Sequence, residues 1–583
     1  MTTTILVLAG AAIYVAFYLL YGRWMERWVV KADPERDTPA RRLEDGVDFV
    51  PARPLVLFGH HFASIAGAAP IIGPAIAMIW GWVPGLLWIW LGNIFVGAVH
   101  DYLSLMASVR YDGKSVQWVA ARIIRPRTGY AFSLFILFTL ILVVAAFSAV
   151  IGQTFVKNPA VPTASFGLIL VAPILGFLLY RAKLPFWLAT LIGLVMLVGC
   201  IVLGLFVPWS MPYKAWLVVF AVYIVVAASI PVNILLQPRD YLNFWLLVTG
   251  LALGAVSLVV AWSPIDFPAF TSFSVPLSFG GGVKVASAPF WPVIPLIIAC
   301  GSLSGFHALV ASGTSSKQLD SERSGLFIGM GSMFTEGFLS TIVVVSIAAF
   351  GGAAAVQAGL TAWDVGDGAS SLGATYGALM KEAGGPVGVF SRCFGIAVHT
   401  ALGLPVKLMT ILASLWVASF ALTTLDTTNR IARYTWTEIV QPLRRVSEPA
   451  HRILSNTWLA ASITAAAGIA LAWSGQFAMI WPAFGGANQM LASVALLTVA
   501  VWVIRELRSP FKLVVLVPAL VLWVTVTAAL AWYLIWAVPV AGEHNPVQAV
   551  VLGAVVVVMI LLNLLLIHDF AHAVLGRGRR GTE

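Results

Sequence analysis

Runs of mainly apolar residues recur along the chain from Ile5 to Ile567, with short polar segments between them. A helix needs about 20 such residues to cross a hydrocarbon layer about 30 Å thick. The pattern predicts about fifteen spans, near 4–21, 55–80, 83–109, 130–155, 165–180, 185–207, 214–236, 242–263, 290–312, 325–350, 393–425, 456–474, 478–504, 511–537 and 547–570. The stretch 386–428 is too long for one crossing. It predicts a short interfacial or re-entrant piece around Phe390 to Leu404, then a crossing that begins near Pro405 and lets Lys407 reach outward. The loops 264–289 and 351–385 have too little apolar pattern for a separate domain, and 31–53 reads as a surface helix or loop. The first run lacks a basic start and a small-residue cleavage site, so it is expected to stay as a membrane helix.

Three of these spans are interrupted. The second carries Gly59-His60-His61 and Gly67, and the ninth carries Gly305-Phe306-His307 and Gly313. Both fit Gly-x-His with another Gly eight residues after the first. Trp481-Pro482 with Gly485-Gly486 and the amide pair Asn488-Gln489 forms the third interruption. A backbone break inside a bilayer is costly unless the freed groups line a cavity or are buried in protein.

Composition agrees: 60% of the 583 residues are hydrophobic, 10% are charged and the mean hydropathy is +0.94, which excludes a water-soluble globular chain. The net charge of +10 could invite a nucleic-acid reading, but the placement of the charges reads as membrane topology. With the N-terminus outside, cytoplasmic segments hold 28 of the 34 Lys and Arg, among them Arg239, Arg181, Lys183 and the tail Arg577 to Arg580. The second and ninth spans then run in opposite directions, as inverted repeats of secondary transporters do, with half-helix N-termini facing an anionic group near the midplane.

The chemistry gathers on the same segments. Asp101 and Glu336 are the acidic residues clearly inside apolar spans, which makes each a candidate proton carrier. His60, His61, His100 and His307 lie in or beside the broken spans, and histidine changes charge near neutral pH. The expected substrate-binding set is Gly59, His60, His61, Ser64, Gly67, Gly305, His307, Ser312, Gly313, Asn488 and Gln489, with Asp101, Glu336 and His100 coupling protons. Ser414, Ser419 and Thr423 form a hydroxyl face that could hold a cation, although such groups commonly bond their own helix carbonyls. Asp426 and Arg430 read as an i,i+4 pair at a helix end, and His568 with His572 as a solvated pair. Cys200, Cys300 and Cys393 have no metal or disulfide spacing. No metal site, catalytic residue or cofactor motif is expected, and nucleic acid is not an expected partner. A channel and a haem-binding redox subunit remain as competing classes.

The blocks Gly59-His60-His61-Phe62-Ala63-Ser64-Ile65-Ala66-Gly67, Gly305 through Gln318, Asp426-Thr427-Thr428-Asn429-Arg430 and Phe484 through Gln489 resemble the carbon starvation protein A family. That resemblance implies an all-α polytopic bundle with inverted repeats and discontinuous helices, within the amino acid–polyamine–organocation superfamily. It implies a bacterial inner-membrane carrier, not an enzyme, moving pyruvate or short peptides with protons as co-substrate. A first helix and cytoplasmic segment over 1–54, a core over 55–390 and C-terminal membrane helices over 391–583, including part of the core, are the expected divisions. The expected activity is proton-coupled import of pyruvate or a similar monocarboxylate by alternating access, with di- or tripeptides as the alternative cargo.

Overall fold

The computed structural model describes residues 1–46, 48–178, 182, 184–230, 236–278, 284–360, 369–543 and 545–575. The expectations placed on Arg181, Lys183, the tail Arg577 to Arg580, and the span ends at 179–180 and 231–235 lie outside the described residues. The helices used below are α1 (Thr3–Val30), α2 (Pro54–Ile65), α3 (Ala69–Ala77), α4 (Trp82–Arg110), α5 (Val116–Ile123), α6 (Pro126–Lys157), α7 (Ala160–Gly176), α8 (Phe186–Phe206), α9 (Tyr213–Ser229) and α10 (Leu236–Ala261). They continue with α11 (Phe290–Ile297), α12 (Gly305–Gly313), α13 (Ser332–Gln357), α14 (Ala369–Ala383), α15 (Pro386–Leu402), α16 (Val406–Val440), α17 (Thr457–Ala472), α18 (Phe477–Arg505), α19 (Leu513–Trp532) and α20 (Pro546–Leu575). Among the described residues ten helices are long and apolar enough to cross a bilayer, or twelve with the bent pairs, and α7, α9 and α15 are shorter apolar helices. The chain is therefore a multi-pass membrane protein. The described part of 264–289 includes a small antiparallel hairpin that pairs Ser274 with Pro289.

Local sequence sets the ends. Proline opens α2, α6 and α15, where its missing N–H costs nothing. Asn456 caps α17 by accepting from Trp458 N and Leu459 N. The long stretch near 386–428 resolves into two helices joined at 403–405, with α16 starting directly after Pro405 as expected. Gly403 takes a left-handed φ of 70° there. The piece before the turn is a 17-residue helix, longer than expected. It packs Phe390 and Phe394 on Trp416 of α16.

Two expectations are corrected. First, α18 runs unbroken through Pro482. The glycine pair is there for contact: a Cβ on Gly486 would overlap the Leu530 and Leu296 side chains, so the glycines let α11 and α19 approach rather than interrupt the helix. Second, Asp426 does not pair with Arg430. It pairs with Arg239, which lies at 1% exposure in the first turn of α10 rather than in an open loop. Arg430 instead donates to the last carbonyls of α9, Ala227 O at 2.7 Å and Ile230 O at 2.8 Å.

The two broken spans lie side by side and antiparallel. Backbone bonds Val50 N to Lys317 O (3.2 Å) and Ala52 N to Gln318 O (3.0 Å) join the approach to α2 with the exit from α12. At the other end Trp80 Nε1 donates to Ala288 O at 3.0 Å, joining the exit from α3 with the approach to α11. Around this pair pack α4, α10, α13, α15, α16, α18 and α19, so helices from both sides of residue 390 build one core.

Candidate functional site

Each broken span gives way at a short non-helical segment. Ala66 (ψ 68°) ends α2, and α3 resumes at Ala69 with a bend of 49° across the pair. A Cβ on Gly67 would lie 2.8 Å from Thr424 Oγ1, so the glycine lets α16 close on the break. Ile298 (ψ 78°) ends α11, and Gly301 adopts φ +42°, a backbone region that favours glycine. The freed backbone groups are held by amides from neighbouring helices. Asn488 accepts from Phe306 N (3.1 Å) and donates to Ala299 O (3.1 Å), while Gln489 donates to Ile298 O (2.9 Å). Asn93 of α4 donates to Gly301 O and Met333 O, both at 2.8 Å. Ser340 of α13 donates to Pro70 O at 2.7 Å, tying the first break to the helix that carries Glu336. These bonds keep irregular backbone tolerable at membrane depth.

The fit is tight enough to give a direct test. A Cβ on Gly305 would stand 2.5 Å from Ala492 N, Asn488 O and Leu491 Cβ, two of which are backbone atoms of α18 that cannot swing aside. Gly305→Ala should destabilise the fold by about 1–3 kcal/mol through overpacking. The check is the thermal unfolding midpoint of purified protein; an unchanged midpoint would mean α12 has room to shift.

Beside the second break sits a buried cluster of ionisable groups, every member at 0% exposure. Asp101 takes His100 Nδ1 at 2.7 Å on one oxygen and His307 Nδ1 at 2.8 Å on the other. A carboxylate can only accept, so both imidazoles donate through Nδ1. His307 Nε2 then faces Glu336 Oε2 at 3.4 Å, and neither atom has another hydrogen-bond partner among the described residues. The other Glu336 oxygen accepts from Gly301 N at 3.4 Å, at the break itself. Cys300, His307 and Glu336 bring ligand atoms within 4.8 Å of one another, close enough to share one cation. A single proton between His307 and Glu336 serves the same facing lone pairs.

A narrow cavity lies between the two breaks, lined by Ile65, Gly67 and Ala69 from the first and by Cys300, Ser304 and Phe306 from the second. Val143 and Phe147 of α6, Thr424 of α16, and Phe484 and Asn488 of α18 complete the wall. The nine-residue α12 points its N-terminus at this space, a position that favours an anionic group. Of the residues singled out in the sequence, Gly67 and Asn488 line the cavity, and His307, Asp101, His100 and Glu336 form the adjoining cluster. His61 Nδ1 lies 2.7 Å from Ser315 Oγ, while His60 Nε2 is buried without a described partner. Ser64 donates to His60 O, Gly59 packs on Phe244, and Gly313 faces open space. Ser312 donates to Ala308 O and accepts from Val116 N, so it fastens α5 to α12. Thr423 donates to Ser419 O and accepts from Asn243, and Ser414 is buried on the same helix. Sequence reasoning missed Cys300, Ser304, Phe306, Val143 and Phe147. Val143 and Phe147 lie on α6, a helix apolar nearly all round, so no stripe marks an inner face, while Cys300 and Ser304 fall in the second break itself.

Discontinuous antiparallel helices that meet at a small cavity beside buried carboxylates are the architecture of a membrane carrier. The chain belongs to the carbon starvation protein CstA family, whose model matches residues 2–529. It is 32% identical to the peptide transporter CstA of Bacillus subtilis (strain 168), over 97% of this chain and 96% of that one. It is 33% identical to the peptide transporter CstA of Escherichia coli (strain K12), over 90% and 80% respectively. The pyruvate/proton symporter BtsT of the same strain is 30% identical, over 90% of this chain and 81% of its own. Among solved structures, a manganese transporter from Eremococcus coleocola aligns at 11% identity and a TM-score of 0.46, covering 91% of this chain and 99% of that one, too distant to bear on the site.

Proposed function

We propose that the chain imports a small monocarboxylate of pyruvate size together with a proton, by alternating access around the cavity between the two breaks. The observation that carries this reading is the chain of contacts from Asp101 through His307 to Glu336 and on to Gly301 N. It links a proton-binding group to the backbone that shapes the cavity. In this reading Asp101, held by two imidazoles, stays ionised, and Glu336 carries the exchangeable proton. Losing that proton leaves a carboxylate that draws on His307 and on the Gly301 amide, so proton release and the shape of the second break change together. The solute carboxylate lies at the α12 N-terminus near Ser304, with Asn488 and Thr424 as polar neighbours and the Phe147, Phe306 and Phe484 rings excluding water. His61, His60 and the hydroxyl face of Ser414, Ser419 and Thr423 lie outside this minimal site. The Lys and Arg distribution supports an N-terminus outside and a C-terminus in the cytoplasm of a bacterial inner membrane.

A short peptide is the second reading, favoured by the name of the Bacillus subtilis relative. Uptake of labelled pyruvate into proteoliposomes under an imposed pH gradient, with unlabelled di- and tripeptides as competitors, separates the two. Gradient-dependent, peptide-insensitive uptake is expected; uptake of a labelled peptide without pyruvate uptake would reverse the choice of cargo. Cys300 supplies an independent check on the site, because its side chain lines the cavity whereas Cys200 and Cys393 do not. Bound solute should slow alkylation of Cys300 severalfold, and equal rates with and without solute would place the binding site elsewhere.

A further inference from the structure

Two residues along α16 from the cavity wall at Thr424, at Asp426, lies a second buried ionic cluster. Arg239, Asp240 and Asp426 are exposed by 1%, 7% and 0%. Arg239 Nη1 donates to Asp426 Oδ2 and to the Tyr223 hydroxyl, and that hydroxyl donates to the same carboxylate oxygen at 2.8 Å. Asp240 stands 3.6 Å from Arg239 Nη2, within ion-pair range but too far for a hydrogen bond. Its Oδ1, and Oδ1 of Asp426, have no hydrogen-bond partner among the described residues. Two carboxylates thus share one guanidinium, and with both ionised the cluster would carry an uncompensated negative charge away from water.

Among the described residues the surroundings supply no other counter-charge. Arg430, on α16, is turned toward the α9 carbonyls. Beyond Tyr223, α9 carries titratable groups only at its far end, Tyr213 and Lys214. On α10 the next titratable group is Tyr241. From α2 come His60 and His61, the latter bonded to Ser315. The helices α7 and α17 carry no titratable side chain, and α6 has none between Tyr130 and Lys157. Among the described residues this leaves a bound ion to supply the missing positive charge. The guanidinium in contact with both carboxylates repels a metal cation but not a proton that sits covalently on one oxygen. We propose that Asp240 and Asp426 share one proton, with Arg239 as their common partner, and that this is a second transported proton. Asn243, one turn along α10 from Arg239, donates to Thr423 at 2.6 Å, next to the cavity-lining Thr424, which connects this proton to movement around the solute.

This inference rests on proton-coupled carboxylate import and adds the stoichiometry: two protons with one monovalent anion carry a net positive charge inward. In proteoliposomes holding the full chain, pyruvate uptake by the wild type should accelerate when an inside-negative potential is imposed. Asp240→Asn keeps the Arg239–Asp426 pair and removes the surplus carboxylate, so it should abolish the response to potential. At a pH difference of one unit, accumulation should fall from about hundredfold to about tenfold, one factor of ten for each coupled proton. Wild-type uptake that ignores potential, or requires Na+, would overturn the proposal, and so would an Asp240→Asn variant that still responds. Infrared spectroscopy of the purified protein tests the proton without any cargo. The carbonyl stretch of a buried protonated carboxyl should weaken in Asp240→Asn, and an unchanged band would overturn the assignment. Absence of pH-driven pyruvate uptake with the band change present would instead remove the monocarboxylate reading and keep the proton.

Discussion

Glu336→Gln should lower pH-driven uptake on the order of a hundredfold, the scale of a lost proton-transfer group, while leaving exchange of labelled for unlabelled solute across the membrane measurable. The amide has the shape of the protonated acid. It can still accept from Gly301 N and meet His307 Nε2, so the second break should hold its form. What it cannot do is release a proton, so the step that resets the empty carrier stops while exchange of loaded carrier continues. Asp101→Asn removes the charge that holds both His100 and His307 in their donor roles, and should depress uptake and exchange together. The comparison of net uptake with exchange in the two variants is the measurement. If both variants kept the wild-type response to a pH gradient, the proton would have to be carried elsewhere in the chain.

The central parts of this arrangement were legible because membranes penalise polar groups and broken backbone so heavily. Asp101 and Glu336 stood out as charges inside apolar runs, and the Gly-x-His segments as interruptions, and the structure brings the acids and His307 into one cluster. The direction of the two breaks was readable from the Lys and Arg distribution, and the backbone bonds at 50–52 and 317–318 show it directly. Other parts could not be read. Asn488 and Gln489 stood out as solute ligands at a third break; in the fold both hold carbonyls of the second break, a link hidden because the break and its clamp are far apart in sequence, and Asn488 lines the cavity as well. Phe147 reaches the cavity from α6, a helix apolar nearly all round, so only packing selects which side turns inward, whereas Phe484 shares its face of α18 with Asn488 one turn on. Arg239 resembled an ordinary cytoplasmic charge. Its role comes from Asp426, 187 positions away, and no local pattern announces such a pair.

Arg239→Met should cost about 3–5 kcal/mol of stability, the range seen when one member of a buried ion pair is removed. Methionine fills much of the arginine stem, so the loss would come chiefly from stranding Asp426 and Asp240 in a place with no other cation among the described residues. Tyr223 could still donate one hydrogen bond to Asp426, which is too little to balance a carboxylate out of water. The thermal unfolding midpoint in detergent measures the loss. Adding Asp240→Asn and Asp426→Asn to Arg239→Met should recover most of it, because a set of neutral polar groups no longer carries a stranded charge. A triple variant as unstable as the single one would show that the packed arginine stem, and not the charge balance, holds α10 to α16. Recovery of stability without recovery of potential-driven uptake would separate the two roles of the cluster: its charges could be replaced for folding, but not for moving a proton.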